Sequence, residues 1–440
     1  MMRSTSSIDA SDPVNGAINA VNPFDPAQAP VVFADHATIA MPASAHLIVR
    51  MLQRLSVGSL TVRFPDGQSN RFGQGAPHAE VALLNWKVCD AALKRGDIGF
   101  GETYIAGDWT TPDLGALMNV MVANRNAIEA VFHGSWWGRI LYRVRHLLRR
   151  NTRTGSKKNI HAHYDIGNDF YKLWLDDSMT YSSALFCDAH DAEGACARTD
   201  FAELPRAQTA KYERILDELR LAPGARVLEI GCGWGGFAET AARRGLGVTG
   251  LTLSNEQLLL AQQRIRDQQL DDRVTLELCD YRDVEGRYDG IASIEMFEAV
   301  GETYWASYFE CIKRLLKPGG RAAIQTITIA EHLFADYRKS SDFIQQYIFP
   351  GGMLPSPSAF RNGVEAAGLR IVEEHAFGQD YARTLAAWFG RFVERERAVR
   401  ESGFDTAFVR TWSFYLAYCS AAFRYRNTDV IQFTLEHATV

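Results

Sequence analysis

The chain has no C-x-x-C pair, no apolar run long enough to cross a bilayer, no internal repeat and no excess of basic residues, and each absence removes a class of function. Its seven cysteines, Cys89, Cys187, Cys196, Cys232, Cys279, Cys311 and Cys419, are odd in number and scattered. That excludes a disulfide framework or a cysteine zinc site and fits reduced thiols in a cytosolic protein. A membrane-spanning helix needs about 20 consecutive apolar residues, so membrane contact is expected only at the surface. A net charge of −5 argues against a protein that coats nucleic acid and leaves room for one local basic patch. The N-terminus lacks a basic stretch followed by an apolar core, so no secretory signal is expected. His161 and His163 stand two apart near Asp165, but no further ligand cluster accompanies them, so hydrogen-bonding roles rather than a metal site are expected.

At 440 residues the chain exceeds a single ordinary core. Residues 1–42, rich in Ala, Pro, Asp and Asn, predict a disordered tail. Residues 43–130 read as a small α+β accessory domain for lipid binding or dimerisation, with a helix around His46–Leu55, a strand Gly58–Phe64, a Pro65-Asp66-Gly67 turn, further short strands through Ala79–Trp86, and a helix Leu114–Arg125. Within 131–160, Ile140, Leu141, Val144, Leu147 and Leu148 share one helical face and Arg139, Arg143, Arg145, Arg149 and Arg150 the other. Such a helix suits anionic headgroups or, equally, docking on the core with a solvated basic rim. Residues 161–440 alternate strands and helices in the manner of an α/β doubly wound, seven-stranded Rossmann-like sheet, with strands expected at Arg226–Ile230, Gly247–Leu253, Val274–Cys279, Asp289–Ile294, Arg321–Thr328, Leu369–Ala376 and Val430–His437.

The densest chemical signal is Arg226-Val-Leu-Glu-Ile-Gly-Cys-Gly-Trp-Gly-Gly-Phe237, a buried-strand pattern running into a glycine turn. Gly231, Gly233 and Gly236 satisfy the dinucleotide spacing G-x-G-x-x-G, whereas Glu229, Gly231, Gly233 and Gly235 satisfy the E-x-G-x-G-x-G of S-adenosylmethionine enzymes. A carboxylate beside the loop suits a ligand with an ammonium and a sulfonium better than a pyrophosphate. The next strand ends Thr252-Leu253-Ser254 without the acidic residue a nicotinamide ribose needs, which weakens the dehydrogenase reading. Thr252 and Gln257 can serve the ribose instead, while Ser254 reads as a helix cap.

Five separated segments add specificity: His161–Phe186, Val227–Phe237, Met296-Phe-Glu-Ala-Val-Gly301, Tyr347-Ile-Phe-Pro-Gly-Gly-Met-Leu-Pro355 and Phe377-Gly-Gln-Asp-Tyr381. In this order they resemble the cyclopropane-fatty-acyl-phospholipid synthases and the related mycolic acid cyclopropane synthases, from about His161 to the C-terminus. The resemblance implies transfer of the S-adenosylmethionine methyl group to a cis double bond of an unsaturated phospholipid acyl chain, followed by proton loss and ring closure. A methyl- or methylene-branched product is the alternative, and a degenerate lipid-binding protein the alternative of another class. By resemblance, Tyr164, Tyr181, Ser182, Gly231, Gly233, Thr252, Leu253, Gln257, Asp280, Tyr281 and Ile294 join Glu229 and Gly235 around the methyl donor. The family's proton acceptor, a bound bicarbonate, corresponds here to a cradle of Ser183, Glu298, Gln325, Ile327 and Tyr381. Glu298 and Tyr381 keep the family pattern, but Ser183 stands for a Cys, Gln325 for a His, and Ala299 for the His that follows the Glu. Tyr164, Phe170, Tyr181 and Tyr381 are the candidates for an aromatic wall around a cation. The implied setting is the inner face of the membrane, approached from the cytoplasm, with a homodimer as one assembly and no nucleic-acid partner.

Overall fold

The computed structural model describes residues 41–126, 128, 166–186 and 201–438. The expected tail up to residue 40, the basic helix at 139–150, and His161, His163, Tyr164 and Asp165 lie outside the described residues.

Ala43–Leu52 is helical, and β1 (Gly58–Arg63), β2 (Ser69–Gln74), β3 (His78–Leu83) and β4 (Trp109–Thr110) form a four-stranded sheet in the order β2-β1-β3-β4. The Pro65-Asp66-Gly67 turn joins β1 to its antiparallel partner β2, with Gly67 in the left-handed region at φ 85°. Between β3 and β4 runs a helix, Lys87–Ala106, that the sequence does not announce. Four glycines in and after it, Gly96, Gly99, Gly101 and Gly107, obscure the helical pattern. Gly96 breaks the helix at φ 56°, Gly107 ends it at φ 83°, and a Cβ on Gly101 would come within 2.6 Å of the Phe343 ring. Close approach of backbone to neighbour overrides helix propensity here.

The second sheet has seven strands in the order β10-β11-β9-β8-β5-β6-β7, with β5 Arg226–Ile230, β6 Gly247–Thr252, β7 Val274–Leu278, β8 Tyr288–Ile294, β9 Leu316–Ile329, β10 Leu369–Ala376 and β11 Thr428–His437. All seven expected strands are present. β9 begins earlier than expected, because Leu316 already pairs with Tyr288 before an irregularity passes the strand on to Arg321. β5 and β8 are parallel neighbours in the centre, and the strand order reverses there. The crevice at the carboxyl ends of such a pair is where open α/β sheets bind ligands. The loops after β5 and β8, which carry Gly231 and Glu295, both open there.

One continuous hydrophobic core joins Leu60, Val62 and Val81 of the small sheet to Trp388, Trp412, Phe414 and Tyr415 of the helices Gly378–Glu394 and Thr406–Arg424. Phe170 is 2% exposed and is ringed edge-on by Phe392, Phe404, Phe408 and Trp412. It is therefore part of this core rather than a wall of a reaction chamber.

Candidate active site

Two cavities meet at the crevice. The smaller, about 180 Å³, is lined by Tyr181, Ser182, Glu229, Gly231, Gly233, Thr252, Leu253, Gln257, Asp280, Tyr281 and Ile294, so eleven of the expected donor-site residues come together. The larger, about 620 Å³, is lined mainly by apolar and aromatic side chains and by Glu298, Ile327 and Tyr381. Tyr181, Glu295 and Ala299 line both, so Glu295 stands where the two cavities adjoin.

Gly235 lies outside the smaller cavity's lining and precedes the helix Gly236–Arg243 at φ 83°, where a Cβ would come within 3.2 Å of Ala261; Gly236 lines the cavity. Ser254 caps the helix Asn255–Asp267, accepting from the Gln257 amide, and the Thr252 hydroxyl donates to Gln257 Oε1 at 3.1 Å. Asp280 is held by Arg282 through a two-pronged contact at 2.8 and 2.6 Å, which fixes the edge of the cavity beside Tyr281. Glu229 is 2% exposed, one of its oxygens has no hydrogen-bond partner, and burial pushes its carboxyl up to about 8. An unpartnered acceptor inside a glycine-lined cavity fits a cationic ligand such as S-adenosylmethionine.

The cradle differs from its expected form in one decisive way: the chain fills it. Glu295 Oε1 accepts from the Ser183 backbone N–H and from Gln325 Nε2, each at 2.8 Å, and Oε2 accepts from the Tyr381 hydroxyl at 2.6 Å. The donors that resemblance assigns to bicarbonate are therefore spent on a side-chain carboxylate. Ser183 acts through its backbone, since its hydroxyl donates to the Ala184 carbonyl. The Ile327 N–H donates to Glu298 rather than to a free anion, and the Thr326 hydroxyl joins it at 3.0 Å.

The orientation of the Gln325 amide is dictated from outside the site. Arg214 can only donate, so Gln432 turns its oxygen to Arg214 and its NH2 to Gln325 Oε1, at 3.0 Å in both contacts. That leaves the Gln325 NH2 facing Glu295. Glu295 itself sits at φ 50°, a left-handed conformation that costs on the order of 1–3 kcal/mol in a residue other than glycine. The hydrogen bond from its N–H to the Gln325 carbonyl and its side-chain contacts hold it there.

Beneath the cradle lies Lys211, fully buried, whose ammonium donates to Ser182 Oγ at 2.5 Å and Gln208 Oε1 at 2.7 Å. Burial pulls Lys211 down to about 7 against the pull of Glu295, Asp176 and Glu229. Burial likewise raises Glu295 above the ordinary carboxylate range, opposed by Lys211 and by its hydrogen bonds. Burial and the Glu295 charge push the Tyr381 phenol well above its usual range, which keeps it a donor. Neither Glu295 nor Lys211 is among the sequence-expected site residues. Two signals point to them: neutral Ser183 and Gln325 make a cradle with no cation of its own, and Lys211 is a lone lysine on the apolar face of the helix Leu204–Leu219.

Glu298 has one oxygen without a partner, and burial, then the Glu295 charge, pushes it up to about 8. Between its ordinary 4.5 and about 8 the folded chain holds a proton that the unfolded chain has released. The stability from that proton is complete below 4.5 and is lost as the pH rises through 8. Glu298→Gln removes this dependence, so its melting temperature relative to the wild type should climb between about pH 5 and about pH 8. A difference that stays flat across that range would mean that Glu298 is ionised throughout.

A glycine loop after β5, a ligand cavity at the strand reversal and a buried carboxylate beside it define a methyltransferase that uses S-adenosylmethionine as methyl donor. The model of the mycolic acid cyclopropane synthetase family matches residues 151–433, and the chain belongs to that family. It is 40% identical over 399 residues to the tuberculostearic acid methyltransferase UfaA1 of Mycobacterium tuberculosis, covering 89% of this chain and 91% of the relative. It is 34% identical over 374 residues to the cyclopropane-fatty-acyl-phospholipid synthase of Escherichia coli, covering 81% and 88%. The crystal structure of mycolic acid cyclopropane synthase CmaA1 complexed with SAH and CTAB superposes with a TM-score of 0.57 at 30% identity, over 63% of this chain and 97% of that one.

Proposed function

We propose that the protein transfers the methyl group of S-adenosylmethionine to a cis double bond of an unsaturated phospholipid acyl chain and releases a methylene-branched chain in preference to a cyclopropane. The observation that carries this reading is Glu295, a tethered carboxylate where the family resemblance implies a free anion.

The alkene π pair would form a bond to the sulfonium methyl as the S–CH3 bond breaks and its pair returns to sulfur, so that S-adenosylhomocysteine leaves and a secondary cation remains on the neighbouring carbon. Tyr181, Phe349, Tyr381 and Tyr415 line the chamber around Glu295, and their ring faces stabilise that cation. Ring closure needs the new methyl to lose a proton as its C–H pair closes onto the cation. Three of the four acceptor directions of Glu295 are already taken, so a proton can leave along one line only. While removal waits, the hydride on the methyl-bearing carbon can cross to its neighbour, converting the secondary cation to a tertiary one. Loss of a methyl proton to Glu295, its C–H pair becoming the new π bond, then leaves an exomethylene double bond on the open chain. A relative named as a methyltransferase, aligned over most of both chains, supports the same direction.

Ring formation is the second reading, favoured by the family match and by the similarity to the Escherichia coli synthase. No helix among the described residues is long and apolar enough to cross a membrane, and the reading places the enzyme peripherally at the inner membrane face, as a monomer or a homodimer. The test is expression in a bacterium lacking its own synthase, with fatty acids analysed by mass spectrometry after double-bond derivatisation. Both products are one methylene heavier than the substrate. The expected one still reacts with the derivatising reagent, and an unreactive one would establish the ring. Unchanged lipids beside measurable S-adenosylmethionine binding would mean a lipid-binding protein.

A further inference from the structure

The larger cavity continues from Glu295 and Glu298 into the N-terminal sheet, where Leu60 and Val62 of β1, Val81 and Leu83 of β3, and Leu117 and Met118 of the helix Leu114–Ala123 form its far wall. None of the six is more than 7% exposed. Close-packed interiors leave few voids larger than a water molecule, so a mainly apolar space of about 620 Å³ reaching Glu295 and Glu298 is shaped for an occupant. The same cavity opens to water at Lys94, beside the Gly96 kink, and at Lys339 and Ser340, all of them exposed. A charged end cannot be buried without partners, whereas a hydrocarbon end is stabilised by burial. The charged end of the substrate therefore stays at the Lys94 and Lys339 mouth, and the far wall receives the other end.

We infer that the N-terminal α+β unit is a ruler for the acyl chain: it holds the methyl-terminal end, and the side chains of β1, β3 and the helix Leu114–Ala123 determine which chain length and double-bond position reach Glu295. This rests on the acyl-chain reading above. It assigns to the small unit a catalytic-chamber role instead of an accessory one, and explains why its core is continuous with that of the helices Gly378–Glu394 and Thr406–Arg424.

The test uses the purified full chain and phospholipid vesicles carrying equal amounts of acyl chains of about 16, 18 and 20 carbons with one cis double bond. Val62→Phe and Met118→Phe shorten the chamber, and Leu83→Ala lengthens it. A pocket that gains or loses a methylene's worth of room discriminates by roughly tenfold or more, so the product ratio should move by that factor toward shorter chains in the first pair and longer chains in the third. Displacement of a fluorescent long-chain fatty acid by the same lipids should show the same ordering without turnover. S-adenosylmethionine binding should be unaffected. Product and displacement ratios identical to the wild type in a filled and in an enlarged variant would overturn the ruler. If the Phe variants fail to fold, Leu83→Ala decides. A wild type that modifies no lipid but shows the displacement shifts would sink the acyl-transfer reading while leaving the ruler standing.

Discussion

Glu295→Gln is expected to lower turnover by roughly a hundred- to ten-thousand-fold while leaving S-adenosylmethionine affinity within a few-fold, because it removes a positioned proton acceptor and little else. Glutamine keeps the shape and can keep its oxygen toward Ser183 and Gln325, but its NH2 then faces the Tyr381 hydroxyl, which must turn from donor to acceptor. Glu295→Gly is the sharper experiment. Glycine adopts the φ of 50° without strain, and its lack of a side chain leaves the three donors facing a space the size of a carboxylate. Added bicarbonate or formate should then restore part of the activity, and the restored product should contain more ring, since an untethered acceptor can meet the methyl proton from more than one direction. Full activity in Glu295→Gln, or no anion response in a folded Glu295→Gly, would remove Glu295 from the reaction.

Lys211→Met should have the second largest effect. Deleting one partner of a buried charge cluster costs about 3–5 kcal/mol, because the remaining charges lose their compensation. Here Glu295, Asp176 and Glu229 lose their nearby cation, and Ser182 loses the donor that orients it toward the methyl-donor cavity. The melting temperature should drop by many degrees. In whatever remains folded, Glu295 should stay protonated to higher pH, since Lys211 is what opposes the upward push of burial. The rising limb of the pH–rate profile should therefore move upward. A profile that keeps its position while only stability falls would reduce Lys211 to a packing role.

Much of the architecture is legible in local pattern. The apolar run of β5 and the Glu229–Gly236 turn are a strand entering a glycine loop in any reading, because burial on both sheet faces and tight turning are imposed residue by residue. The helix Lys87–Ala106 is not legible, because Gly101 answers to Phe343, which is 242 residues away in the chain. Glu298 is found through a motif, while Glu295, three residues earlier, is hidden by the same motif. Its role depends on Ser183, Gln325 and Tyr381, which arrive from three separate parts of the chain.

By itself, the sequence determined the sheet, the methyl donor and the family, since these rest on periodicity and on contiguous motifs whose chemistry is local. Only the tertiary structure decided that Glu295 meets Ser183, Gln325 and Tyr381 and that the larger cavity reaches the N-terminal sheet. Whether a carboxylate accepts hydrogen bonds, sits above a buried lysine, or opens onto a cavity running into another sheet depends on distances between residues far apart in the chain. Those distances follow from packing the whole molecule at once.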